Sequence, residues 1–171
     1  MNVPTTPLLA AAMILSAGIG CDSPTDAGPD DVELMRQASA AYTSAEAALA
    51  AGFVPLSECI ASPAGAMGFH YGMPARLDDA VIDANAPEVM LYEPQADGSL
   101  RLVGVEFMMH QDAWAAAGNT EAPTMAGRAF DPPNPNHPDP MVRPFWTLHA
   151  WVWQENPEGM FMPFNPAVSC D

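Results

Sequence analysis

The sequence predicts an α+β fold, an antiparallel sheet of about four or more strands with one long amino-terminal helix packed on one face. Helical periodicity in residues 30–52 is the first observation behind this prediction. The second is a series of four short runs rich in aromatic or β-branched residues. The third is the Asp97-Gly98 pair between two of those runs, a strong signal for an antiparallel hairpin.

The predicted helix begins at a capping box formed by Asp30 and Glu33 and ends at Gly52, a suitable C′ residue. It would have about five or six turns. Its alanines permit close packing against a sheet, and its polar face carries one arginine and no lysine, which disfavours a membrane role. The apolar residues at helical spacing are Leu34, Ala38, Ala41, Tyr42, Ala45 and Leu49.

Four strands are expected after the helix, and the second and third should form the hairpin. They cover residues 66–71, 89–92, 100–109 and 146–153. A short helix is expected around residues 112–117, ending at Gly118.

Two later segments are expected to lie on the surface of the sheet. The prolines of residues 131–140 exclude helix and sheet and predict an extended surface loop. Residues 156–171 should wrap over a hydrophobic surface.

The amino terminus has the features of a bacterial signal peptide over residues 1–20. Its apolar run, residues 8–19, is too short to span a bilayer. A small residue directly before Cys21 is typical of a lipoprotein signal, so Cys21 is predicted to carry lipid and anchor the protein to the bacterial membrane. Residues 21–29 would be the tether and residues 30–171 a single globular domain. Plain secretion is the alternative, because Gly18 stands where leucine is usual and no Lys or Arg precedes the apolar run.

The two remaining cysteines, Cys59 and Cys170, are predicted to form a disulfide. Export to an oxidising compartment makes a bond between them the default, and two buried free thiols are the alternative. Neither belongs to a C-x-x-C pair, which argues against a zinc site built from these cysteines alone.

Composition and motifs exclude several classes of function. The formal net charge is −16, with no lysine, and this argues against nucleic acid as a partner. The sequence lacks G-x-S-x-G, P-loop, G-x-G-x-x-G, H-E-x-x-H and C-x-x-C-H motifs, so no common enzyme class is indicated. A small ligand or protein partner cannot be named from these features.

Three segments carry a resemblance to known sequences. They are GAMGFHYG at residues 65–72, PEVMLYEPQADGSLRLVGVEF at residues 87–107 and LHAWVWQENPEGMFMPFNPAVSC at residues 148–170. The chain resembles a group of exported bacterial proteins, hypothetical lipoproteins without an established activity, which tend to have glycine where this chain has Ala66. The resemblance implies an exported domain and transfers no catalytic residue.

Three polar residues interrupt otherwise apolar or aromatic strands: His70, Glu106 and His149. Alternate residues of a strand share a face, so these side chains would form a set of two imidazoles and one carboxylate if the faces meet. Such a set suits Zn²⁺, Fe²⁺ or Cu²⁺, and nearby methionines would favour Cu(I). The common cleft is expected to be lined by Tyr71, Met108, Trp151 and Trp153.

A structural role for the same residues is the alternative. Histidines on aromatic strands are often hydrogen-bonded core residues, and Glu106 could pair with Arg101, Arg128 or Arg143. His137, in the Pro-rich loop, is expected to be exposed to solvent.

Three functions therefore remain after the sequence analysis. The first is an exported, lipid-anchored binding or structural module without catalytic activity, which the missing motifs favour. The second is a periplasmic or surface protein that binds copper or zinc through the His70, Glu106 and His149 set. The third is a small metal-dependent enzyme that uses the same cleft.

Overall fold

A computed structural model describes Met1, residues 29–137 and residues 140–171 of the chain. Cys21 and the rest of the predicted signal peptide and tether, apart from Met1 and Pro29, lie outside the described residues. The helices are α1 (Pro29–Ser39), α2 (Ala45–Ala50), α3 (Pro74–Leu77) and α4 (Gln111–Ala116), with a 3₁₀ turn at Ala40–Tyr42. The strands are β1 (Val54–Pro55), β2 (Ile60–Ser62), β3 (Gly65–Gly72), β4 (Val89–Pro94), β5 (Leu100–His110), β6 (Thr124–Met125), β7 (Arg128–Ala129) and β8 (Phe145–Ala150).

The fold is α+β and centres on an antiparallel sheet, as the sequence predicts. The main strand order is β1-β3-β4-β5-β8, and β2 pairs with the free part of β3. The predicted hairpin is β4 with β5, and its turn is closed by the Gln95 amide donating to the Ser99 carbonyl. The Asp97 carboxylate accepts from the Ser99 amide, and Gly98 supplies the positive φ of 83° that this turn requires.

The expected long amino-terminal helix is wrong, because the chain forms two short helices separated by the 3₁₀ turn. Ser44 adopts an extended conformation, and its hydroxyl caps α2 by accepting from the Ala47 amide. The Tyr92 hydroxyl reaches up from the sheet and donates to the Tyr42 carbonyl at 2.7 Å. The carbonyl released by the break therefore has a partner, and this hydrogen bond stabilises the interruption.

The two faces of the sheet carry separate hydrophobic clusters. The larger cluster lies under the amino-terminal helices and includes Met35, Phe53, Met90, Tyr92 and Phe107, each at most 1% exposed. The smaller cluster lies on the opposite face, and its buried members are Ala66, Val89, Leu91, Val103, Met108, Phe145, Trp151 and Val168. None of the helices in the described part of the chain is long and apolar enough to cross a membrane.

The last strand is shorter than predicted. It ends at Ala150, because the Trp151 amide donates to the Met160 carbonyl and the Trp153 amide donates back to Val103. The chain thus leaves the sheet edge and turns over the smaller cluster.

The carboxyl-terminal segment covers this second face of the sheet, as expected. The backbones of Ala66 and Asn165 exchange hydrogen bonds of 3.0 and 3.1 Å. The Glu93 carboxylate holds the Ser169 amide and forms an ion pair with Arg101. Cys59 and Cys170 form a disulfide, which ties the end of the chain to the segment before β2. A disulfide is consistent with an extracytoplasmic location.

We predict that Cys170→Ser lowers the free energy of unfolding by about 2–5 kcal/mol, because the bond closes a loop with a sequence separation of 111 residues. Urea unfolding of the oxidised proteins measures the loss. Wild-type protein kept in a reductant is the matched control and should unfold at the same urea concentration as the variant. Equal stability of the variant and the oxidised wild type would contradict this role.

Candidate metal centre

The pairing of the strands brings His70, Glu106 and His149 to one face of the sheet. Glu106 on β5 lies directly opposite His149 on β8, so their side chains leave the sheet on the same side. His70 on β3 is opposite Leu91 of β4, and Leu91 belongs to the smaller cluster. The imidazole of His70 reaches across β4 towards Glu106. The convergence inferred from the sequence is therefore present in the structure.

The three side chains are close enough to bind one ion. The Nε2 atom of His70 lies 3.5 Å from Oε2 of Glu106, and the Nε2 atom of His149 lies 3.7 Å from Oε1. One potential ligand atom from each residue lies within 4.8 Å of the others. The two imidazole rings meet edge to face with their centroids 6.0 Å apart.

All three groups are deeply buried. His70 is 6% exposed, and Glu106 and His149 are each 3% exposed. The Nδ1 atom of His70 makes a 3.0 Å hydrogen bond with the Ser57 hydroxyl. Within residues 29–137 and 140–171, Oε2 of Glu106 and both ring nitrogens of His149 are buried without a hydrogen-bond partner. Each such atom costs about 1–3 kcal/mol of stability.

Burial also shifts the titration of these groups. It raises the pKa of the Glu106 carboxyl to about 8, and the nearby Glu88 and Asp131 carboxylates add to the shift. It lowers the pKa of the His149 imidazole to about 3, with a further contribution from His70. In the metal-free protein near neutral pH, His149 is therefore neutral and Glu106 is mostly protonated.

A cavity of about 240 Å³ opens beside the three side chains. Met67, Met108 and Phe145 are buried parts of its wall, whereas Asp131 and Asn134 are exposed and form its outer part. The other residues that line it are Leu56, Ser57, Ile60, His70, Glu106, Pro132, His137, Met141, Val142, Thr147, His149, Pro163 and Phe164. The centre is thus reached from a small and mainly apolar space.

The residues expected to line the cleft have different positions. Met108 does line the cavity, and Trp151 stacks on His149 with ring centroids 6.2 Å apart. Tyr71 does not line it, because Phe69 and Tyr71 of β3 face the larger cluster, where Tyr71 packs against Tyr92. Trp153 does not line it either. It follows the end of β8, is 40% exposed and donates to the Ser39 hydroxyl.

The arginines proposed as partners of Glu106 have other contacts. Arg101 pairs with Glu93, Arg128 lies over the Phe161 ring at 5.9 Å, and Arg143 donates to the His137 carbonyl at 2.8 Å. In the described structure the Glu106 carboxyl lies beside the two imidazoles, and the Glu88 and Asp131 carboxyls are also near it.

The structure also shows the positions of the other two histidines, His110 and His137. His110 caps α4, since its Nδ1 atom accepts from the Asp112 amide. The expectation that His137 is simply exposed is wrong, because it is half-buried and lines the cavity. Asp131, Pro132, Asn134 and His137 of the Pro-rich loop all line this cavity.

Sequence reasoning missed Ser57 and Asp131. Ser57 lies between β1 and β2 in a segment without periodicity, and its contact with His70 depends on the path of β3. Asp131 forms an isolated bridge with Thr147 of β8. Asp131 lies at the start of the Pro-rich loop, and no sequence pattern relates it to Glu106. Its position near the centre could therefore not be predicted from the sequence.

In comparisons with protein-family models, curated proteins and solved structures, no match to this chain was found. The resemblance to exported bacterial proteins therefore stays a prediction.

We predict that His149→Leu leaves the metal-free protein at least as stable as the wild type, because it removes two buried ring nitrogens that have no hydrogen bond to any residue the structure describes. Urea unfolding in the presence of a chelator measures this. His110→Leu is the control and should lose roughly 1 kcal/mol with the cap of α4. A loss above about 1 kcal/mol in His149→Leu would show that the imidazole has a stabilising partner.

Proposed function

We propose that this protein is an exported metal-binding protein that holds a divalent transition-metal ion, Zn²⁺ or Cu²⁺, with His70, Glu106 and His149. The observation that carries the proposal is that, within the described part of the chain, Oε2 of Glu106 and both ring nitrogens of His149 are buried without a hydrogen bond, while one potential ligand atom from each of His70, Glu106 and His149 lies within 4.8 Å of the others. Native proteins rarely keep such atoms buried unless they serve a function. A cation shared by the three side chains would satisfy the carboxylate and one nitrogen of His149 together.

The separations favour a shared ion over a hydrogen-bond network. The 3.5 and 3.7 Å distances between imidazole nitrogens and carboxylate oxygens exceed the range of about 2.7–3.2 Å for an N–H to oxygen hydrogen bond. Two ligand atoms that each lie about 2.0–2.2 Å from one zinc ion are separated by roughly 3–3.6 Å. The two imidazole–carboxylate separations are close to these values, and the three ligand atoms, which lie within 4.8 Å of one another, would draw together around the ion.

The donor set matches the chemistry of these metals. Imidazole suits zinc and copper, and two histidines with one glutamate occur as a three-residue zinc set that leaves a coordination position open. The Ser57 hydroxyl hydrogen-bonded to Nδ1 of His70 would orient the ring so that Nε2 faces the ion, as outer partners of metal-binding histidines do. The formal net charge of −16 would raise the local concentration of cations.

We predict that tag-free, full-length protein binds Zn²⁺ or Cu²⁺ with a stoichiometry of one, measured by competition with a chromogenic chelator. His70→Ala, His149→Ala and Glu106→Gln should each weaken binding more than about 100-fold, because each removes a ligand. Ser57→Ala should weaken it about 10–100-fold, because it removes only the group that orients His70.

His110→Ala is the matched control, since it removes a histidine outside the centre and should leave the affinity for metal unchanged. Glu106→Gln keeps the shape of the side chain and leaves it uncharged, like the protonated carboxyl, so its metal-free form should fold like the wild type. Metal binding that persists in both His70→Ala and His149→Ala would reduce the three residues to a structural cluster.

We also propose that the protein acts outside the cytoplasm and is anchored by lipid on Cys21. The sequence of residues 1–20 and the small residue before Cys21 support the anchor, and the disulfide between Cys59 and Cys170 suits an oxidising compartment.

Cys21→Ala is predicted to release the protein from the membrane fraction or to block removal of the signal peptide, because the thiol that would carry the lipid is missing. Fractionation followed by intact mass measurement shows both effects. Cys170→Ser is the control, since it also removes one cysteine but should leave the lipid mass in place. Unchanged membrane association of Cys21→Ala would contradict the anchor.

A further inference from the structure

We propose that the cavity beside the metal centre binds a small monocarboxylate with an apolar body, and that its carboxylate completes the coordination of the ion. This inference rests on the metal site proposed above and adds the chemical class of the ligand. The size of the cavity, its lining and the charge of the centre support this class of ligand.

The size of the cavity limits the ligand to a small molecule. Its volume is about 240 Å³. An apolar cavity of about 150 Å³ is enough to hold benzene. One aromatic ring with a carboxylate, or a short aliphatic acid, therefore fits, whereas peptides and oligosaccharides are too large for the enclosed part.

The lining of the cavity favours an apolar body. Met67, Met108 and Phe145 are each at most 9% exposed and form part of the inner wall. Val142 and Phe164 are half-buried and add apolar surface further out. Apolar ligand surface that leaves water for this space gains about 25 cal/mol per Å².

The charge of the centre favours one negative charge on the ligand. A divalent ion with one carboxylate and two neutral imidazoles has a net charge of +1. A positive charge in a buried, apolar site is unfavourable unless it is paired. A monoanion bound to the ion neutralises it, while a neutral analogue of the same shape does not.

The Asp131 carboxylate at the exposed part of the cavity opposes an anion by like-charge repulsion. Glu88, which is 3% exposed and accepts from the Met108 amide, also lies near Glu106 and opposes an anion when it is ionised. The acidic groups on the surface act at longer range and are screened within about 8–10 Å at ordinary ionic strength. Asp131 therefore provides an electrostatic test, since Asp131→Asn should tighten the binding of an anion and leave the binding of a neutral molecule unchanged.

The experiment uses full-length protein loaded with Co²⁺, whose visible absorption reports changes in its ligands. Benzoate should change the spectrum with saturation, and benzamide should not. Asp131→Asn should bind benzoate more tightly. Val142→Phe, which fills the cavity without removing a metal ligand, should weaken benzoate binding at least about 10-fold and leave Co²⁺ affinity unchanged.

The outcomes separate this inference from the metal site. If Co²⁺ binds through the three ligands but benzoate leaves the spectrum unchanged, or if Val142→Phe binds benzoate as well as the wild type, the carboxylate pocket is overturned and the metal site stands. If Co²⁺ does not bind, or binds equally to His70→Ala and His149→Ala, the metal site fails and the inference fails with it.

Discussion

The pairing of β5 with β4 on one side and β8 on the other is the constraint on which the rest of the structure depends. In this register Glu106 lies opposite both Val89 and His149, and Val105 lies opposite Met90 and Ala150. Since side chains alternate between faces, a shift of one residue would send the carboxylate into the larger cluster and Val105 towards the cavity. The register therefore fixes the core and the candidate metal centre together.

The second face of the sheet is closed by chain without regular secondary structure. Residues 131–137 of the Pro-rich loop and the carboxyl-terminal segment lie over this face. Backbone hydrogen bonds between Ala66 and Asn165 attach the carboxyl-terminal segment to β3. The disulfide between Cys59 and Cys170 fastens the same segment near Ser57, which contacts His70. The disulfide thus attaches the carboxyl-terminal segment close to the residue that contacts His70.

The sequence predicts the sheet well because strand formation depends on local patterns. The Asp97-Gly98 turn and the apolar runs that flank it define the β4–β5 hairpin without reference to the remainder of the chain. The amino-terminal helix could not be predicted correctly, because its break depends on the hydroxyl of Tyr92, some 50 residues further along, bonding to the Tyr42 carbonyl. Periodicity within residues 30–52 contains no information about that contact.

In the candidate site, too, the residues that local patterns identify could be predicted, whereas those placed by distant contacts could not. His70, Glu106 and His149 stand out in the sequence because each interrupts an apolar strand, and alternation then places them on faces that can meet. The prediction that Tyr71 lines the cleft conflicts with the same alternation. Tyr71 is adjacent to His70 in β3, so its side chain faces the opposite side of the sheet. Ser57, Asp131 and the cover of the cavity depend on the path of loops, for which no periodic rule exists.

Burying this group of polar residues works against folding. The three side-chain atoms that are buried without a hydrogen bond in residues 29–137 and 140–171, at about 1–3 kcal/mol each, amount to a large fraction of the roughly 5–15 kcal/mol that stabilises a typical domain. In the chain-entropy model, the disulfide contributes about 5 kcal/mol for a loop of this length and so offsets a cost of that order. An apolar side chain at position 149 would fill the same space without that cost. The presence of histidine there is thus better explained by a ligand that binds the folded protein than by the stability of the fold itself.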